Sequence, residues 1–210
     1  MIRIIAIERE FGCGGSALAE PLAARLGWKL LDQSLTEEVA RIAQVARAVV
    51  EQREGRLDPL VYRLAKAFWH GSCERGIPVG GQEAFDADRA LALVQQVVEQ
   101  AAAAGNCVIV GRGSAYFLHQ RADTFRVFLF ASREFKFRSL LGHTPNEAKA
   151  NELLDTVDRD RQMFAKHYFG VEWPHRPSYY AMLNAALGDD LVLATILNLV
   201  DALNKKETSL

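Results

Sequence analysis

The sequence predicts an α/β protein built on a parallel β-sheet, and three features of the chain indicate this fold class. The N-terminal segment runs through an apolar stretch at 2–7, a glycine-rich turn at 11–16, a helical pattern and a second apolar stretch at 28–31. A strand, helix and strand in this order form a βαβ unit, whose strands are parallel. Further apolar stretches at 107–110 and 125–130 are typical of buried strands. Of the 210 residues, 50% are hydrophobic and 24% are charged, as in a globular domain with a sizeable core.

The first helix is predicted by three leucines at a spacing of four residues, and Gly27 is a natural C-terminal stop. The leucines are Leu18, Leu22 and Leu26. Pro21 favours a helix that begins near Ala17 rather than near Gly15, because proline is tolerated in the first turn but removes a backbone hydrogen bond further in.

The segment from 33 to 105 is predicted to be a helical insertion between two strands of one sheet. Ser34 and Glu37 form a capping box, and Asp58-Pro59 fits an N-cap followed by a first-turn proline. A third helix is expected over about 84–104, where Gly105 follows it.

The C-terminal half continues the alternation of strands and helices. The strand at 107–110 is followed by the turn at 111–113, and Ser132 can cap a helix that follows the strand at 125–130. The segment Thr144-Pro145-Asn146-Glu147 reads as a second capping box, which predicts a long polar helix to about Tyr168.

The last two predicted elements are a strand and a helix. A fifth strand is expected at 180–183, and a closing helix is expected from Gly188-Asp189 onward.

The composition of the chain argues against several classes of function and of binding site. The formal net charge of −1 gives no basic field for a nucleic acid or a membrane surface. No apolar run approaches the ~20 residues of a membrane span, and the N-terminus lacks the pattern of a signal peptide. Three cysteines without paired spacing indicate reduced thiols and a cytoplasmic location. The five histidines show no zinc spacing with each other or with cysteine, so no metal site of protein ligands is predicted.

The glycine-rich turn at 12–16 is the first candidate functional site. A turn of this kind lets backbone N–H groups approach a phosphate, and the helix N-terminus adds partial positive charge. The P-loop pattern G-x-x-x-x-G-K-[ST] is not complete, because its lysine is absent. Gly12, Gly14 and Ala17 match the permitted variant of the dinucleotide fingerprint, with Asp32 as the acidic residue about 20 positions on. From the residues alone, a phosphate site, a dinucleotide site and an empty tight turn all remain open.

Four motifs together resemble the cytidylate kinase-like family, a branch of the nucleoside monophosphate kinases, and the resemblance spans nearly the whole chain. They occur in the order expected of the family: 8–15 (ERE-FGCGG), 28–32 (WKLLD), 108–113 (VIVGRG) and 158–161 (DRDR). The resemblance implies a three-layer P-loop kinase fold with a five-stranded parallel sheet. It also implies one domain over 1–210, with a core at 1–32 and 106–210, a helical nucleoside-monophosphate-binding insertion at 33–105 and a LID at 138–175.

The resemblance implies that the loop holds the phosphates of ATP, with Mg²⁺ bridging them. The loop residues concerned are Gly12, Cys13, Gly14, Gly15 and Ser16. The family commonly has Ser-Arg-Glu-[Phe/Tyr]-Gly-Ser-Gly-Gly-Arg here. In this chain Cys13 stands for the second serine and Ser16 for the last arginine.

The resemblance also implies a set of acceptor-binding and charge-neutralising residues. Asp32 is expected near the acceptor or the Mg²⁺ shell, although it could instead cap the next helix. Arg112 would hold the acceptor phosphate with its planar fork. Arg63 and Arg138 are further candidates for substrate binding. Arg161 and Arg159 would neutralise charge on the transferring group from the LID, and the alternative is a solvated helix face of ion pairs.

The function implied is transfer of the ATP γ-phosphoryl group to a nucleoside monophosphate, with CMP or dCMP first. Two alternatives stay open. One is a kinase for a small non-nucleotide acceptor, and the other is a nucleotide-binding regulatory protein without turnover.

Overall fold

The computed structural model describes residues 1–32 and 87–208. Within these ranges the chain forms a five-stranded sheet in the order β2-β3-β1-β4-β5, and every neighbouring pair is parallel. The strands are β1 (Ile4–Arg9), β2 (Lys29–Leu31), β3 (Cys107–Val110), β4 (Thr124–Phe130) and β5 (Ala181–Asn184). The predicted parallel α/β sheet is confirmed.

Within residues 1–32 and 87–208, six helices and two short 3₁₀ turns accompany these strands. The helices are α1 (Gly15–Leu26), α2 (Ala87–Ala104), α3 (Ser114–Phe117), α4 (Arg133–Leu141), α5 (Glu147–Phe169) and α6 (Asp189–Thr208). The 3₁₀ turns are Arg176–Ser178 and Ala185–Leu187.

The sheet is covered by helices on both faces because its central strand is apolar on both. Successive side chains of a strand point to opposite faces. Ile5 and Ile7 of β1 pack in one core cluster with α1 and α6, and Ile4 packs in another with α2. This gives three layers, as expected for a parallel sheet whose strands are buried on both faces.

The boundaries of two helices differ from the sequence prediction. Helix α1 begins at Gly15 and keeps Pro21 as its seventh residue, so the expected later start is wrong. Asn146, rather than Thr144, caps α5, since its side chain accepts a hydrogen bond of 2.8 Å from the N–H of Lys149. The Ser132 cap of α4 is confirmed by a 3.2 Å hydrogen bond from the N–H of Phe135.

The predicted insertion lies mostly outside the described residues. Its capping signals at Ser34-Glu37 and Asp58-Pro59 belong to that part of the chain, as does Arg63. Its last portion, α2, packs against β3 through Val94, Val98 and their neighbours. Among the helices of the described ranges, none is both long enough and apolar enough to span a bilayer.

The strand order places a crevice at one end of the sheet. Strand β1 lies between β3 and β4, and its register with β3 pairs Ile7 with Val110. The chain leaves β1 toward the β2 edge of the sheet, and it leaves β3 toward the β5 edge. The carboxyl ends of β1 and β3 therefore border a topological switch point. Ligands of open α/β sheets bind at this position.

Candidate functional site

The glycine loop lies at the carboxyl end of β1 and leads into α1. Gly12 and Gly14 adopt left-handed backbone conformations, with φ of 82° and 69°. Gly14 is also the N-cap of α1 and has no side chain that could occupy the helix N-terminus. Cys13 and Ser16 are buried within the turn. The first-turn N–H groups of α1 therefore point toward the crevice, which is the arrangement that binds a phosphate.

A second turn follows β3, beside the glycine loop. Its three residues Gly111, Arg112 and Gly113 have φ of 68°, 62° and 66°. Left-handed backbone costs a residue with a Cβ roughly 1–2 kcal/mol, so the conformation of Arg112 is strained. Arg112 is buried at 7% exposure. A strained and buried arginine at the carboxyl end of a central strand is typical of a functional position.

Glu8 holds this second turn in place. Its carboxyl group lies inside the protein and accepts hydrogen bonds from the backbone N–H groups of Gly113 and Ala115. Burial raises the pKa of Glu8 above its ordinary value of 4.5, against the opposing effect of the charges of Arg9 and Arg161. The acid thus connects β1 to the N-terminus of α3, a helix that the sequence analysis did not predict.

A network of four charged side chains joins the glycine loop to α4 and α5. Lys136 of α4 lies with its Nζ 2.9 Å from Glu10 Oε2 and 3.5 Å from Asp158 Oδ2. Asp158 Oδ1 accepts hydrogen bonds from the N–H of Phe11 at 2.8 Å and from Arg161 Nη1 at 3.0 Å. The four side chains are partly buried, so the network ties the loop to both helices.

Lys136 lies against the loop itself. A Cβ added at Gly12 would lie 3.1 Å from the Cβ of Lys136, so a larger residue at position 12 would press on α4. Burial acts to lower the pKa of Lys136, but the hydrogen bond from its ammonium group to Glu10 and the charges of Asp158 and Glu10 together raise it. The ammonium group is therefore positively charged beside the glycine loop.

The predicted residue Arg161 is brought to the loop. Its Nη1 donates a hydrogen bond of 2.8 Å to the backbone oxygen of Arg9. Its guanidinium also lies over the ring of Trp173, with 6.0 Å between the guanidinium carbon and the ring centroid. Positions 158 and 161 share one face of α5, as the spacing predicts.

Three other predicted residues lie elsewhere. Arg159 is exposed on α5. Arg138 is exposed on α4, where it forms an ion pair with Glu134 one turn earlier. Asp32 is half-buried directly after β2, one strand beyond β3. Arg63 lies outside the described residues, and the roles of all these residues stay predictions.

The sequence analysis missed four residues that the fold brings to the loop. Glu8, Arg9 and Glu10 stood in the motif at 8–15 but were assigned no role, and Lys136 was not singled out. The alternation of β1 could have indicated that Glu8 and Arg9 point to opposite faces. No signal in the sequence indicates Lys136, because its partners are far away along the chain.

Comparison with known proteins agrees with this architecture. The sequence matches the model of the cytidylate kinase-like family over residues 4–186. No curated protein matches the chain. An uncharacterized protein from Eubacterium ventriosum has a similar structure, with a TM-score of 0.66, 18% identity, and coverage of 96% of this chain and 99% of that one.

Two kinases of small molecules have similar structures as well. A gluconokinase from Sinorhizobium meliloti is 16% identical with a TM-score of 0.55, and the match covers 96% of this chain and 95% of that chain. A shikimate kinase from Acinetobacter baumannii, solved with shikimate, is 15% identical with a TM-score of 0.53, covering 96% and 94%. These likenesses establish a P-loop kinase fold. The match over residues 4–186 establishes that the chain belongs to the cytidylate kinase-like family.

Proposed function

We propose that the protein transfers the γ-phosphoryl group of ATP to a nucleoside monophosphate, with CMP or dCMP as the first candidates. The observation that carries this proposal is the pairing of two anion-binding features at one end of the sheet. The glycine loop follows β1, and the buried Arg112 follows the adjacent strand β3. A donor phosphate at the first and an acceptor phosphate at the second would lie side by side.

The donor side rests on backbone groups. N–H groups of the loop and of the first turn of α1 would bind the ATP phosphates. The buried Ser16 offers a hydroxyl oxygen of the kind that ligates Mg²⁺ in P-loops, so it fits a hard cation at the glycine loop. Asp32, after β2, is proposed near the acceptor or the Mg²⁺ shell. When bound, Mg²⁺ neutralises phosphate charge.

The acceptor side rests on Arg112. Its left-handed backbone lies beside the N–H groups of Gly113 and Ala115 that bond to Glu8, and this would orient the side chain before any ligand binds. A guanidinium is suited to a phosphate monoester because it donates two parallel hydrogen bonds. Arg63 and Arg138 are proposed as additional contacts to the acceptor.

The transfer step rests on charge neutralisation rather than on a protein nucleophile. We assign this role first to Arg161, whose guanidinium lies beside the loop, and second to the exposed Arg159. Arg161 would exchange its contact with the Arg9 carbonyl for the transferring group.

The test is ADP release from Mg-ATP with CMP, dCMP, UMP, AMP, GMP, shikimate or gluconate as acceptor, and with no acceptor. The proposal expects release that depends on a nucleoside monophosphate, highest with CMP or dCMP. In Arg112→Ala, the KM for that acceptor should rise far more than the KM for ATP. ADP release that depends only on shikimate or gluconate would assign a different acceptor class. If no acceptor in the panel increases ADP release, phosphoryl transfer to these acceptors by this protein is contradicted.

A further inference from the structure

The glycine loop departs from the P-loop pattern at two positions. When Gly14 is placed at the second glycine of G-x-x-x-x-G-K-[ST], the serine or threonine position falls on Ser16. The lysine position then falls on Gly15, and the first glycine position falls on Arg9. A cationic residue therefore stands at the first glycine position of the pattern, and a glycine stands at its lysine position six residues later.

These two positions are in contact in the structure. Arg9 ends β1 and Gly15 begins α1. A Cβ added at Gly15 would lie 2.9 Å from Cδ of Arg9 and 3.1 Å from its Cγ and Nε. The arginine side chain thus fills the space in which a side chain at position 15 would begin.

Beyond Gly15 the guanidinium of Arg9 reaches the turn after β3. A Cβ added at Gly111 would collide with Nη1 of Arg9. Arg9 is only 4% exposed. The side chain of Arg9 is therefore a buried cation that extends from Gly15 to Gly111. Because both residues are glycines, neither has a side chain that covers it. Gly15 belongs to the glycine loop, and Gly111 adjoins Arg112.

We infer that Arg9 supplies the phosphate-binding charge that the P-loop lysine supplies elsewhere, and that Gly15 is glycine because Arg9 occupies its side-chain space. The ligand class is a nucleoside triphosphate, so the inference rests on the donor half of the proposed function. An arginine is suited to this buried position because its guanidinium stays protonated where a lysine can lose its proton.

The test is a four-protein cycle: wild type, Arg9→Gly, Gly15→Lys and the double variant, which restores the P-loop pattern. The dissociation constant for Mg-ATP is measured by calorimetry without acceptor. Arg9→Gly should weaken binding by about 10- to 100-fold, as for loss of a hydrogen bond to a charged group. Gly15→Lys alone should also weaken it, because the new side chain collides with Arg9. The double variant should bind roughly tenfold more tightly than Arg9→Gly, a departure from additivity.

The controls separate charge at the loop from general effects. Arg25→Ala removes one exposed positive charge from the last turn of α1 and should leave the dissociation constant unchanged. Circular dichroism checks that each variant is folded. Should Arg9→Gly fail to fold, Arg9→Met keeps the aliphatic part of the side chain and should show the same loss of binding.

Three results would overturn the inference: wild-type affinity in folded Arg9→Gly or Arg9→Met, a double variant that binds no better than either single one, and a wild type that does not bind Mg-ATP. Tight Mg-ATP binding by wild type, lost in Arg9→Gly, supports the inference even if no nucleoside monophosphate is phosphorylated. In that case only the proposed acceptor is wrong.

Discussion

At the scale of single residues, the site depends on backbone conformations that most side chains avoid. Arg112 is the clearest case, because it stands between two glycines and shares their left-handed conformation. A glycine would adopt this conformation without strain. The proposed contact with an acceptor phosphate would account for an arginine at this position instead of a glycine.

Replacing Arg112 tests this interpretation by comparing two variants. Arg112→Gly relieves the strain and Arg112→Ala keeps it, so the glycine variant should be more stable than the alanine variant by about 1 kcal/mol. The comparison is made by urea unfolding, and both variants lose the same side chain. Equal stability, or a more stable alanine variant, would show that the left-handed backbone carries no cost here.

Glu8 makes the stability of the protein depend on pH. Because burial raises its pKa above 4.5, the folded state holds this proton more tightly than the unfolded state does. The stability that the proton contributes is complete below the unfolded pKa and is lost as pH rises through the folded pKa. Glu8→Gln mimics the neutral acid, so its stability relative to wild type should improve as pH rises above 4.5.

This dependence is measured by urea unfolding of both proteins at matched pH values. The difference between the two proteins cancels the titration of groups that they share. A difference that stays constant, or that moves against the variant as pH rises, would show that folding does not raise the pKa of Glu8.

At the scale of elements, the strands and most helices could be predicted because their signals are local. Apolar runs, a serine cap and a glycine stop all lie within a few residues of the elements that they define. Helix α3 was missed because it has only four residues, too few for a periodic pattern. The network around Lys136 was missed because Glu10 and Asp158 meet it only after α4 and α5 fold back onto the loop.

Asp158 should contribute more to stability than a charged neighbour on the same helix. Asp158→Ala leaves Arg161 and Lys136 without one carboxylate partner and the N–H of Phe11 without its acceptor, in a partly buried position. A loss of about 3 kcal/mol in the free energy of unfolding is expected.

Asp155→Ala is the matched control. Asp155 lies one turn earlier on α5, and its 2.6 Å ion pair with Arg133 is more than half exposed at both side chains. Its removal should cost less than about 1 kcal/mol. Similar losses in the two variants, measured by urea unfolding, would mean that the network does not hold α5 to the loop.

At the scale of the whole molecule, the order of the strands was not predicted from the sequence. Local patterns indicate that strands are parallel, but they do not indicate which strands are neighbours. The placement of β1 between β3 and β4 brings the glycine loop and Arg112 to one crevice. The function proposed here follows from that juxtaposition.

The most direct test of phosphoryl transfer to a nucleoside monophosphate uses ATP labelled at its γ-phosphate. The labelled ATP is incubated with the protein, Mg²⁺ and CMP, and the products are separated by chromatography. Transfer predicts that the label appears in CDP, in an amount equal to the ADP formed, and that Arg161→Ala sharply slows its appearance. Label that appears only as inorganic phosphate, or that stays in ATP while folded protein is present, would contradict the proposed function.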